Sequence, residues 1–360
     1  MGILRTILAI AIVVYHSYKI FGLRMCGGQI AVESFYIISG FYMALILNEK
    51  YNGVGSYKKF ILSRFYRIFP VYWIVLCVAL LISVAGYFIG NHPYYLWRYI
   101  NNYNCLSGIT IFYFIIENII VIGQDILYFT RIDENCELLT TFNPLSYKHN
   151  GFQYLLVPQA WSISIEFLFY LVAPFVVTKH IKWQISLVIF GLAIKCYFSY
   201  YHYLSYDPWT YRFFPFEFAF FMLGSISYYI YKWIQKKDVS IYIGYLLLIM
   251  CVLGVFFIEQ ISIEDKIKIN LFYALVFISL PFMFYSFKNS KMDRLIGELS
   301  FSIYIVHHIV VSICRGYFFE NPHLLYLYGY VTVFGSLLFA VLLQKFVVIH
   351  IETYRAKRFS

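Results

Sequence analysis

The chain has 360 residues, of which 61% are hydrophobic and only 13% charged, with a formal net charge of +10. A soluble domain carries about 25% charged residues, so this composition excludes an ordinary globular protein, and the basic excess reads as cytoplasmic loop charge rather than a nucleic-acid surface. The apolar residues fall in continuous runs of 17 to 25, long enough to cross roughly 30 Å of hydrocarbon and lacking the alternation a transmembrane barrel requires.

The expected fold is therefore an all-α polytopic membrane protein with about ten transmembrane helices. They fall at roughly 3–21, 30–48, 69–89, 159–178, 184–201, 211–232, 241–258, 270–287, 297–316 and 325–350. The first run follows Met1 without a small-residue cleavage site, so it reads as a retained span rather than a signal peptide. Within it Arg5 and His16 are eleven positions apart. At 100° per residue that is three turns plus about 20°, which places both on one face roughly 16 Å apart. Two ionisable groups on one stripe of a membrane helix are candidates for function. The plain alternative is a positive-inside Arg at the helix foot and a packed His at its far end.

The second span carries Ser39 and Gly40, small residues that let a neighbouring backbone approach closely. Glu33, near its outer end, is placed to pair with Arg24 or Lys19. Ahead of the third span Arg64 and Arg67 face the same way on a helix and form a phosphate-sized fork, or a cluster on anionic lipid. Pro70 suits the first turn of the span that follows.

Residues 90–158 read as one long external loop. The stretch 109–128 is nearly as apolar as a span but contains Glu117, Asn118, Gln124 and Asp125. As an eleventh span it would invert all later helices and place most of their Lys and Arg outside, so it reads as a re-entrant or interfacial helix. Cys105 and Cys136 share this loop and can pair if it faces an oxidising compartment. The seven cysteines show no metal-ligand spacing, and no metal site is expected. With the N-terminus inside, inner segments hold 18 of the 28 Lys and Arg and outer segments eight. Both N- and C-termini are accordingly expected to be cytoplasmic, in a cytoplasmic (inner) membrane.

In Trp161-Ser162-Ile163-Ser164-Ile165-Glu166, Ser162 and Glu166 share a helix face. Glu166 and His16 each lie about five residues below the expected outer boundary. At matched depth a carboxylate and an imidazole relieve each other's desolvation and fix the imidazole tautomer. In the ninth span Ser300, Tyr304 and His307 recur at i, i+4 and i+7, a polar stripe for a cavity or a helix seam.

Taken in order, Arg5-x10-His16, Phe35-x3-Ser39-Gly40-Phe41, Arg64-x2-Arg67-x2-Pro70-x-Tyr72-Trp73, Trp161-Ser162-x3-Glu166 and Ser300-x3-Tyr304-x2-His307 resemble the acyltransferase 3 family of membrane O-acyltransferases. The resemblance runs from about residue 3 to 350, and no polar motif position departs from it. It implies an enzyme that moves an acyl group, usually acetyl, from cytoplasmic acetyl-CoA to a hydroxyl of a cell-surface or exported bacterial polysaccharide such as capsule or lipopolysaccharide. It also implies an essential first-helix pair, Arg5 and His16, and donor binding by Arg64 and Arg67. No bound cofactor is expected, acetyl-CoA being a co-substrate. His16 is expected to act as general base or transient acyl carrier, Glu166 to orient it, and Ser39, Ser162, Tyr304 and His307 to serve as pore or oxyanion contacts. The expected partners are the acyl-CoA donor, a glycan or lipid-linked sugar acceptor and the lipid bilayer. Residues 1–360 read as a single transmembrane domain without the periplasmic hydrolase-like domain that some members carry. A glycan transporter or polymerase is the competing reading. The transporter expects inverted repeats and broken helices in matching halves, which the sequence does not display. The polymerase expects catalytic groups concentrated in the external loop, whose charges are instead scattered.

Overall fold

A computed structural model describes every residue except 52, 54, 91, 103, 202, 203 and 360, of which 91 and 103 fall within the expected external loop. Each of the ten apolar runs forms a helix: α1 (Gly2–His16), α2 (Gly27–Glu49), α3 (Ser56–Gly90), then, after two helices of the external loop, α6 (Trp161–Val176), α7 (Ile181–Tyr201), α8 (Phe214–Ile234), α9 (Tyr242–Phe257), α10 (Asp265–Phe287), α11 (Lys291–Glu320) and α12 (Leu325–Leu343). The two loop helices are α4 (Trp97–Asn102) and α5 (Gly108–Ile120), and a π-helical turn carries α12 into α13 (Ile349–Phe359). Among the described residues eight helices are long and apolar enough to cross a membrane. The chain is a polytopic helical membrane protein.

The first helix is buried on nearly every side, with Leu4, Leu8, Ala9, Ala11 and Val13 fully enclosed. Its partner α11 runs parallel to it. The Asp293 carboxylate accepts from the Gly2 and Ile3 amides at 2.9 and 3.0 Å, satisfying donors that a helix start leaves orphaned. The Thr6 hydroxyl donates to the Ile296 carbonyl at 2.6 Å. Near the other end of α1, the His16 ring lies 5.2 Å from that of His307. The backbones come closest at the start, where a Cβ on Gly297 would fall 2.6 Å from the Gly2 Cα. Gly40 serves the same purpose between α2 and α8: its Cβ would sit 1.8 Å from the Phe221 carbonyl oxygen.

Four expectations are corrected. The first helix ends at His16 rather than near residue 21, because Ser17 leaves the helix with its hydroxyl on the Val13 carbonyl. Positive φ angles at Phe21, Gly22 and Met25 then turn the chain back into α2. His16 is thus the last residue of α1 and solvent-accessible at its mouth. The third helix starts at Ser56, so Pro70 lies inside a continuous 35-residue helix and not in its first turn. At about 52 Å that helix overshoots the hydrocarbon by several turns. Glu33 pairs with neither Arg24 nor Lys19. It faces inward, where Lys195 of α7 donates to it at 2.9 Å and to Glu217 of α8 at 3.0 Å, and Tyr273 of α10 also donates to its carboxylate. The fourth correction, the separation of Glu166 from His16, follows from the site.

The long segment between α3 and α6 is anchored deep in the bundle. Helix α5 has 13 residues, or about 20 Å, too short for a span. Its C-terminal carbonyls are met by α3: the Tyr72 hydroxyl donates to Asn118 O at 2.5 Å and the Trp73 indole to Ile119 O at 2.9 Å. Tyr72 lies 18 residues before the end of α3 at Gly90, so the tip of α5 is sunk about 27 Å below that end. The chain reverses through Val121 and Gly123, both at positive φ, with Ser164 of α6 bonding Gly123 N and Asp125. The tip of α5 is thus held within the bundle, and the chain turns back there. A short antiparallel hairpin follows, β1 (Thr130–Ile132) with β2 (Leu138–Thr140), and a Cys105–Cys136 disulfide closes the loop around α5.

Candidate active site

A cavity of about 510 Å³ opens at the end of the bundle that holds the start of α1. Its rim carries Arg67, Lys288 and Arg294, and its wall Arg5, Ser39, Tyr42, Ser162, Glu166, Tyr170, Ser300 and Tyr304. Seven of the residues singled out in the sequence therefore meet in one space: Arg5, Arg67, Ser39, Ser162, Glu166, Ser300 and Tyr304. Helix periodicity explains the convergence. Ser162 and Glu166 are one turn apart on α6, and Ser300 and Tyr304 one turn apart on α11, so each pair presents one face.

The polar groups inside are bonded to one another. Glu166 accepts from the Ser39 hydroxyl at 2.7 Å and from the Tyr170 hydroxyl at 2.5 Å. Tyr170 is four residues along α6 from Glu166, so i, i+4 spacing places it on the same face. Across the cavity Arg5 lies with its guanidinium 5.9 Å from the Tyr42 ring centroid and interacts electrostatically with Glu166 and Arg67. Further in, Tyr304 and Ser162 share a hydrogen bond of 2.5 Å, and the Tyr304 hydroxyl also reaches the Gln159 carbonyl at 2.9 Å. This pair closes the inner end of the cavity.

The remaining three candidates lie outside its lining. Arg64, one turn from Arg67 on α3, is buried against Phe60 and Tyr170, 5.7 and 6.0 Å from their ring centroids. Its Nε and Nη1 make no hydrogen bond among the described residues. His307 sits one turn beyond Tyr304, its Nδ1 2.6 Å from the Tyr304 carbonyl oxygen. A carbonyl only accepts, so Nδ1 carries the proton and Nε2 keeps its lone pair. That Nε2 is buried without a partner among the described residues. The His16 ring packs against His307 and, at 5.5 Å, against His308.

Glu166 and His16 are consequently not partners. Their matched depth assumed that α6 starts at the outer boundary. In the structure its start is sunk, with Gln159 donating to the Ile305 carbonyl at 2.6 Å and Ser162 level with Tyr304. Glu166 lies one turn below Ser162, and His16 lies level with His307, one turn above Tyr304. The two are about two turns, or 11 Å, apart along the bundle axis. The neighbours of His16 are His307 and His308, adjacent on α11.

The arrangement can hold an anionic ligand at a basic rim, extend it past Arg5, and present its far end to two hydroxyls beneath a histidine pair. A family described as an acyltransferase domain matches residues 1–345. Curated proteins from Staphylococcus aureus strains COL, MSSA476 and N315, each provisionally named an O-acetyltransferase, are 24% identical over 96% of this chain. The chain spans about half the length of these relatives, 55% of each. No solved structure gives a significant match.

Proposed function

The chain belongs to this acyltransferase family, and from that premise we propose that it transfers an acetyl group from acetyl-CoA, bound at the basic rim, to a hydroxyl of an exported glycan. The observation that carries the reading is the single cavity joining Arg67, Arg5, Glu166, Ser162 and Tyr304. In this reading the helices α1–α3 and α6–α12 cross a bacterial cytoplasmic membrane, the short α1 held within the bundle, with both ends of the chain on the cytoplasmic face. The parallel run of α1 and α11 supports that orientation, and so does the disulfide at the opposite end, since such bonds persist in oxidising compartments.

Arg67, Lys288 and Arg294 would hold the phosphates of the donor, with guanidinium forks matched to phosphate oxygens. Arg64, buried behind Arg67 with free donors, strengthens the local positive field. The pantetheine arm would pass Arg5, which lies beside the Tyr42 ring, and place the thioester carbonyl against the Ser162 and Tyr304 hydroxyls. Both hydroxyls spend their protons on one another and on the Gln159 carbonyl, so they would serve a developing oxyanion by turning away from Gln159. His16 takes the proton of the acceptor hydroxyl as its oxygen attacks the thioester carbon. The C–O bond forms, the C–S bond breaks, and the proton passes to the departing thiolate, which leaves as the free thiol. His307 packs its ring 5.2 Å from that of His16 and would help to position it by that contact, in place of the Glu166 bond expected from the sequence. No bound cofactor is needed, since donor and acceptor supply all atoms of the reaction.

The test is acetyl-CoA binding to the detergent-solubilised protein and its Arg67→Ala variant. One charge-assisted contact is worth about 1.5–3 kcal/mol, so the variant should bind roughly 10- to 100-fold more weakly. Absence of binding to the unaltered chain would sink the proposal.

A further inference from the structure

A second cavity, of about 410 Å³, opens at the opposite end of the bundle under the external loop. Trp97, Tyr128 and Phe152 line it with aromatic rings, and Arg98, Gln153 and His308 with polar groups. The Phe152 ring is stacked on that of Tyr128 at 4.6 Å with an interplanar angle of 5°, which fixes its orientation at the cavity wall. Arg212 is held 4.2 Å from both the Tyr128 and Trp161 ring centroids while bonded to Asp207, so its charge is paired. Trp97 remains half exposed at the mouth. Gln153 Oε1 is buried without a hydrogen-bond partner among the described residues.

The two cavities are separated by a thin partition. Pro158 lines the outer cavity and Ser162, four residues on, the inner one, about 6 to 7 Å along the helical chain. The same partition holds the histidines. His308 faces the outer cavity and its ring is 5.5 Å from that of His16, while Tyr304, on the inner side, is 5.7 Å from His307.

We propose that the outer cavity is the acceptor subsite and binds one pyranose residue of a glycan chain, directing one hydroxyl at the His16–His308 side of the partition. The inference rests on the acyl-transfer reading above. Its chemistry is that of a sugar ring. The C–H face of a pyranose packs flat on aromatic rings, and its hydroxyls need fixed partners at the rim. Gln153 Oε1, without a partner among the described residues, can accept from such a hydroxyl, and Arg98 can donate to one. The volume suits a small ligand buried on several sides. A lipid tail would instead leave Arg98, Gln153 and Asp207 against hydrocarbon, which is costly. The transfer itself is the balanced exchange already given: the sugar C–O–H oxygen gains the acetyl carbon, and its proton leaves with the thiol of the donor.

The experiment measures acetyl transfer from radiolabelled acetyl-CoA to surface polysaccharide purified from the producing cells and O-deacetylated with mild alkali. It uses the full chain in lipid nanodiscs. Trp97→Ala combined with Phe152→Ala is expected to raise the half-saturating polysaccharide concentration at least about tenfold, with the half-saturating acetyl-CoA concentration changed less than about twofold. Trp97→Phe should restore most of the loss, and Gln153→Leu should raise the polysaccharide requirement alone. Unchanged polysaccharide saturation in the double variant would overturn the subsite, while the transfer reading stands. An equal loss of acetyl-CoA binding would mean a damaged fold, and Gln153→Leu with unaltered saturation would then overturn the assignment. If the unaltered chain binds acetyl-CoA but acetylates none of this polysaccharide, the sugar acceptor is overturned. If it binds no acetyl-CoA, the underlying reading falls first.

Discussion

Replacing Glu166 by Gln and His16 by Ala, singly and together, distinguishes two geometries for the centre of this protein. If the two formed a bonded pair, as their sequence positions suggest, removing one would forfeit most of what removing the other costs. In the structure Glu166 is bonded to Ser39 and Tyr170, while His16 lies about two turns, or 11 Å, away against His307. Sites that far apart with no shared partner add within roughly 0.3–0.5 kcal/mol. The positive control is the Ser39–Glu166 bond of 2.7 Å. A hydrogen bond to a charged group contributes about 1.5–3 kcal/mol, so Ser39→Ala and Glu166→Gln should couple by an amount of that order. Unfolding free energies of the variants in mixed dodecyl sulfate and neutral-detergent micelles give both cycles. A coupling above about 1 kcal/mol between Glu166 and His16, or none between Ser39 and Glu166, would refute the placement of α6.

Other consequences are equally measurable. Serine at both Cys105 and Cys136 removes a cross-link over a separation of 31 residues, a loop-entropy loss of about 4 kcal/mol, and should make the external loop markedly more sensitive to added protease. Gly40→Leu places side-chain atoms where even a Cβ lies 1.8 Å from the Phe221 carbonyl oxygen, so monodisperse protein should vanish from size-exclusion profiles. Gly316→Ala, with nothing within 4 Å of the new Cβ, should be neutral or stabilising by up to about 1 kcal/mol. Lys195→Met strands the buried carboxylates of Glu33 and Glu217 and should cost about 3–5 kcal/mol in the same micellar unfolding assay. Adding Glu33→Gln and Glu217→Gln should recover much of that.

The parts legible in the sequence were those governed by a single period. Run length located ten helices, and i, i+4 spacing brought Ser162 with Glu166 and Ser300 with Tyr304 into one cavity. Basic-residue bias and the polar residues of 109–128 pointed to a re-entrant or interfacial helix, and α5 is a 13-residue helix whose end packs against α3. Four readings failed where a tertiary contact sets the answer. Nothing along the chain between His16 and Phe21 announces that Ser17 leaves the helix. Pro70 resembles a helix start because a proline suits that position, yet α3 runs through it with its packing intact. The sunken start of α6 depends on Gln159 bonding a carbonyl of α11, 146 residues away. Glu33 has nearer basic residues in sequence, but its partner Lys195 arrives on α7. The outer cavity is assembled from five separate stretches, at 94–98, 128, 144–158, 207–212 and 308, which no local pattern joins.

The claim at the centre of this account is that acyl transfer takes place at His16, beyond the Tyr304–Ser162 pair. Acetyl transfer by the His16→Ala protein, measured beside its acetyl-CoA affinity, tests that claim most directly. Loss of a positioned base should lower the transfer rate by about 10²- to 10⁴-fold while the basic rim keeps donor binding unchanged. A folded His16→Ala protein that transfers acetyl groups at the unaltered rate would contradict it.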